Sequence, residues 1–97
     1  MNVLVLPKEL TQSQAGACLR MLVQGLGGLV EPEVVVDASS LSRFDSSALA
    51  VLLEFRRKCL TAGKRFSVCG LPAKLSDLAQ LYGIAELLPG VPAAPVK

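Results

Sequence analysis

The side chains able to carry chemistry gather in one stretch of this 97-residue chain, VVVDASSLSRFDSSALAVLLEFRR, residues 34 to 57. Asp37 ends a β-branched run, and Asp45, Ser46 and Ser47 stand directly before six apolar residues, Ala48 to Leu53. A serine attacks only when a base takes its proton, and the chain contains no histidine. None of the five lysines is close to the serines in sequence, so a Ser-Lys pair would depend on the fold bringing one in. Asp37, Asp45 and Asp77 have no metal-ligand spacing, and Cys18, Cys59 and Cys69 form no C-x-x-C pair. Gly63-Lys64-Arg65 lacks the upstream glycine of a phosphate-cradling loop. The expectation is a protein without a hydrolytic centre, metal or cofactor, not an enzyme.

The Asp-Ser-Ser turn has two readings. A carboxylate at a strand-to-helix junction accepts the free amides of the first helical turn, so Asp45 can act as a cap and nothing more. The residues that follow suggest a second role. At about 100° per residue, Ala48, Leu49, Ala50, Val51, Leu52 and Leu53 point all round the helix axis. If Leu49, Leu52, Leu53 and Leu60 face a sheet, then Ala48, Val51 and Phe55 meet a neighbouring element or solvent. Full enclosure of this helix looks hard with only three helices in the chain. An apolar patch beside small polar residues marks a protein interface.

The elements that must position these residues follow from periodicity. Val3 to Leu6 reads as a strand ended by Pro7. Thr11 caps a first helix, with Gln14 in the capping-box position and Ala15, Cys18, Leu19, Leu22 and Leu26 on its inner face. Gly25, Gly27 and Gly28 are expected to stop it. The run EVVVDA suits a strand buried on both faces or covered by helices. A second helix is expected over residues 46–62, closed by Gly63, and RFSVCG is the next strand. Pro72 opens a third helix bearing Leu75, Leu78, Ala79 and Tyr82 on one face before Gly83, with Ile84, Leu87 and Leu88 placed to cap the core. Strands alternating with helices imply one α/β domain with parallel pairs and right-handed crossovers. Its expected extent is residues 1–90, with 91–97 a Pro-rich tail.

Composition narrows the function classes. Hydrophobic residues make up 52% and charged residues 19%, which excludes a disordered chain. A net charge of +2 with scattered basic residues, and 4% aromatics, argue against a nucleic-acid partner. Arg56-Arg57-Lys58 reads as a solvated helix face. Three widely spaced cysteines in apolar runs suit a reducing compartment. No signal peptide and no apolar run of the roughly 18 residues that span a bilayer is visible, so a cytosolic protein without direct membrane insertion is expected.

The stretch VVVDASSLSRFDSSALAVLL resembles the core motif of STAS domains, named for sulfate transporters and anti-sigma-factor antagonists: an apolar strand ending in Asp, a linker, then Asp-Ser/Thr-Ser/Gly-Gly/Ala-Leu opening a helix. LAQLYGIAELLP is similar to the C-terminal segment of MlaB-type STAS proteins, the small cytoplasmic subunits of a phospholipid ABC transporter. The resemblance covers roughly Val3 to Pro89. It implies a subunit peripheral to the inner membrane that docks on the transporter's ATPase, and through it the permease, supporting assembly, activity and lipid asymmetry. The implied contacts are Asp45, Ser46, Ser47, Ala48, Leu49 and Val51, with Ser46 where relatives place a Thr or Ser against the ATPase. Ser47 falls where anti-sigma-factor antagonists carry their phosphorylated serine, so a phosphorylation-switched antagonist is the alternative. A small-ligand module using the strand ends near Asp37 and Asp45 is a third reading.

Two departures stand out. Ala48 replaces the Gly of many antagonists, which favours the transporter branch. Only NVLVLP precedes KELTQ, so the family's first hairpin strand is missing, and the bare sheet edge is expected to favour a homodimer.

Overall fold

The computed structural model describes residues 3–90; the proposed tail at 91–97 lies outside them. Chain order is β1 (Val3–Val5), β2 (Glu9–Leu10), α1 (Gln12–Gly27), β3 (Glu33–Asp37), β4 (Arg43–Phe44), α2 (Ser47–Thr61), β5 (Arg65–Cys69), α3 (Ala73–Leu81) and a 3₁₀ turn at Ala85–Leu87. The main sheet runs β1-β3-β5, and β2-β4 form a small second one. Every strand pair among the described residues is parallel, with Val3 opposite Val35, Val34 opposite Phe66 and Val36 opposite Val68. Among the described residues β1 is an edge strand of this sheet, with Val3 and Val5 exposed.

Stepping from β1 to β3 to β5 in one direction by right-handed crossovers puts α1 and α2 side by side on the same face. The pleat agrees: Val34, Val36, Phe66 and Val68 are buried beneath the helices, while Val35, Ser67 and Cys69 on the other face are only half-buried. The β-branched run of β3 is therefore covered on one side. The opposite edge, β5, receives the end of the described chain, where the Val68 N–H donates to the Pro89 carbonyl at 2.9 Å.

Helix ends follow local chemistry. Gln14 Oε1 accepts the Thr11 N–H at 2.9 Å and the Thr11 hydroxyl at 2.6 Å, the return half of the capping box. α1 then runs through Gly25 to Gly27 instead of stopping earlier. Gly25 is a packing position, because a Cβ there would come within 2.8 Å of Leu4 Cδ2. Both α2 and α3 end in Schellman motifs. Gly63 (φ 76°) donates to the Leu60 carbonyl and Lys64 to that of Cys59; Gly83 (φ 74°) donates to Gln80 and Ile84 to Ala79. On α3, Leu75 and Ala79 are buried and Leu78 partly so, whereas Tyr82 turns to solvent, off the face the spacing assigned it; Leu88 joins the core while Leu87 stays partly exposed.

The core centres on α2. Phe55 is fully buried and meets Phe66 of β5 edge-on, ring centroids 6.1 Å apart at 73°. Cys18 and Cys59 are small core side chains, and burial pushes the Cys59 thiol up to about 11.

Candidate functional site

Two short parallel strands bring the helix starts together. The Ser42 and Arg43 N–H groups both donate to the Lys8 carbonyl, so β4 runs beside β2 and delivers Asp45 to the first turn of α1. The Asp45 carboxylate then bridges two helices: Oδ1 accepts the Ser47 N–H at 2.8 Å, and Oδ2 accepts the Gln12 N–H at 3.2 Å. These amides are among the unsatisfied donors of a helix's first turn. The Asp45 carbonyl also accepts the Ala48 N–H at 3.0 Å, so Asp45 is the working N-cap of α2 although regular helix is counted from Ser47. The bond from the Ser47 amide, with smaller help from the Ser47 hydroxyl and then the Gln12 amide, holds the Asp45 carboxyl below the usual carboxylate range against a smaller opposing effect of desolvation.

Asp37 serves a separate turn. Its Oδ1 accepts the Ser39 hydroxyl at 2.6 Å and the Ser39 N–H at 2.9 Å, and these bonds lower its pKa. Asp37 and Asp45 share no hydrogen-bond partner, and Asp77 is on α3 and bonds to neither. Among the described residues no group of three acidic, Cys or His side chains is placed to hold a metal ion. The Ser46 side chain is exposed and Ser47 half-buried beside the Asp45 carboxylate; no lysine hydrogen-bonds to either hydroxyl among the described residues.

One expectation is overturned. Ala48, Leu49 and Val51 were assigned to partner contact, and their side chains are sealed inside the molecule at 0%, 2% and 3% exposure. The reason is the crossover geometry: α2 sits centrally, with the sheet beneath it and α1 along its flank, so its apolar girdle is its own protein's core. Phe55 is equally enclosed, whereas Leu60, assigned to the sheet, is 49% exposed. What remains accessible at the tip is polar, Asp45 and Ser46, with Ala50 exposed and Phe44 and Leu53 half-buried.

Two features were not anticipated. Gln12 contributes only a backbone N–H, which no residue identity announces. A groove of about 410 Å³ next to the tip is lined by Phe44, Lys74, Asp77, Leu78 and Leu81. Its sequence signal was Leu81, a large apolar residue at the end of α3.

A parallel sheet carrying helices on one face, with an acid-capped serine turn presented at the second helix start, defines a small α/β domain of the STAS class. The family model described as "Mlab, STAS domain" matches residues 2–89, and the chain belongs to that family. No curated protein matches it. Among the described residues no helix is long and apolar enough to cross a membrane.

Proposed function

We propose that this chain is a non-enzymatic STAS subunit that docks on the ATPase of an ABC transporter moving phospholipid, and supports that complex's assembly and activity. Acting through that ATPase, it lies on the cytoplasmic side, peripheral to the inner membrane, and contributes to outer-membrane lipid asymmetry. The observation carrying the reading is the Asp45 bridge between two helix starts, in a chain of the MlaB family. One carboxylate locks both termini, which leaves Ser46 and Ser47 on a rigid platform where their groups can set the register of a partner. Ala48, Leu49 and Val51 support that platform from within and do not touch the partner.

The test is co-purification of the ATPase with the Ser46→Arg variant. Ser46 is exposed, so the fold tolerates the change, and loss of the complex is expected. Intact complex formation would remove the helix start as the docking surface.

A second reading, an anti-sigma-factor antagonist switched by phosphorylation, draws on the position of Ser47. A phosphate there would add about −1.5 to −2 charges beside the Asp45 carboxylate, and repulsion would loosen the bridge. Intact-mass measurement after incubation with a cognate kinase separates the two.

A further inference from the structure

We propose that the groove between β4 and α3 seats an amphipathic helix of the docked partner, oriented by an acidic side chain against Lys74 and a basic one against Asp77; this rests on the docking reading above. Positions 74, 77, 78 and 81 follow the i, i+3, i+4, i+7 spacing and share one face of α3. The opposite face, Leu75 and Ala79, is buried in the core, so α3 uses both sides. Leu81 is 76% exposed at the groove although it is a large apolar side chain, and Tyr82 beside it is 55% exposed.

The charges argue for the occupant. Lys74 and Asp77 have no hydrogen bond or ion pair among the described residues, where the cation–anion pairs are Arg43 with Glu9, Arg57 with Glu54 and Arg65 with Glu33. Opposite charges three residues apart that leave each other unpaired, above the apolar side chains of Phe44, Leu78 and Leu81, match a partner surface carrying the reverse order of charge. The strand at the groove, β4, is two residues long and pairs on one side with β2, so its free edge is too short to hold an extended segment. A segment burying its own backbone there must satisfy its amides internally, which selects a helix over an extended strand.

Location and size agree. Phe44 lies in the groove and directly precedes Asp45, so the groove continues the helix-start platform. A stable interface takes roughly 800 Å² per partner. With Ala48, Leu49 and Val51 buried, the two serines and Ala50 fall well short, and the groove supplies apolar area that the tip lacks.

The experiment is calorimetric titration of the purified ATPase subunit with wild type, Leu81→Asp, Lys74→Glu and a Leu60→Asp control, each checked for an unchanged melting curve. Leu60 is exposed at the far end of α2. Leu81→Asp is expected to weaken binding roughly tenfold or more, Lys74→Glu to weaken it less and to lose its effect at high salt, and Leu60→Asp to change nothing. Binding unaffected by Leu81→Asp yet abolished by Ser46→Arg overturns the groove and leaves the docking reading standing. No binding of the ATPase by wild type overturns both. Self-association of the wild type that Leu81→Asp abolishes, with ATPase binding intact, gives the groove to a second copy and overturns the proposal.

Discussion

Gly70→Ala is a sharp test of how the strand ends are packed, because a second glycine supplies its control. Gly70 follows β5 with φ 68°, and Gly63 ends α2 with φ 76°, so both occupy the left-handed region. An alanine there carries a penalty of roughly 1–2 kcal/mol, offset by about 0.4–1 kcal/mol from the stiffened unfolded chain. At Gly63 nothing lies within 4 Å of the added methyl, so the net loss is about 1 kcal/mol. At Gly70 the methyl would sit 2.7 Å from Ser39 Cβ and 3.0 Å from both its Cα and its backbone nitrogen. That backbone cannot retreat cheaply: Asp37 Oδ1 holds the Ser39 N–H, and the Ala38 N–H donates to the Cys69 carbonyl at 2.8 Å. Overpacking adds roughly 1–3 kcal/mol, which brings Gly70→Ala to about 2–4 kcal/mol. Thermal unfolding followed by far-ultraviolet circular dichroism should show a drop of about 5 °C for Gly63→Ala and about 10 °C or more for Gly70→Ala. Equal drops would refute the steric part of the reasoning and leave only the left-handed backbone.

Three further outcomes are expected. Asp45→Asn should destabilise the protein at neutral pH, because the amide can accept from Ser47 but turns a donor towards the Gln12 N–H. The Asp45 pKa is lowered in the folded state, so its contribution is present above the unfolded value of about 3.9 and is lost as pH falls through the folded one; the gap in urea midpoints between variant and wild type should close below about pH 4, and a constant gap would refute the ionic account. A thiol reagent should modify half-buried Cys69 first and reach Cys18 and Cys59 only on unfolding, since the pKa of all three thiols is raised and only access to the reagent separates them; early labelling of Cys59 would contradict the packing around α2. The β1 edge, with Val3 and Val5 exposed, should add a second copy's strand, so average mass by light scattering should rise with concentration and fall back with Val5→Lys; monomer mass at every concentration would remove the dimer.

Alternation of strand-like and helix-like runs, the Thr11–Gln14 box and the glycines at 63 and 83 are local signals. They named the α/β class and placed the helix ends, because each depends on a few bonds within one turn of chain. The Asp45-Ser46-Ser47 turn was legible for the same reason, since a cap needs only its own helix. The second half of the Asp45 bridge was not: Gln12 enters through a backbone amide that every residue but proline owns, and only the β2–β4 pairing carries it there. Likewise Ala48, Leu49 and Val51 present an apolar girdle whose cover periodicity does not specify. Whether such a cylinder meets a partner or its own sheet depends on crossover hand and strand order, which are properties of the assembled chain. Composition and spacing by themselves determined that a capped, apolar helix begins at Asp45. Tertiary structure decided that this helix is the core and that apolar surface near its start is left exposed at Leu81 of α3 instead, because burial depends on which elements the assembled chain lays over one another.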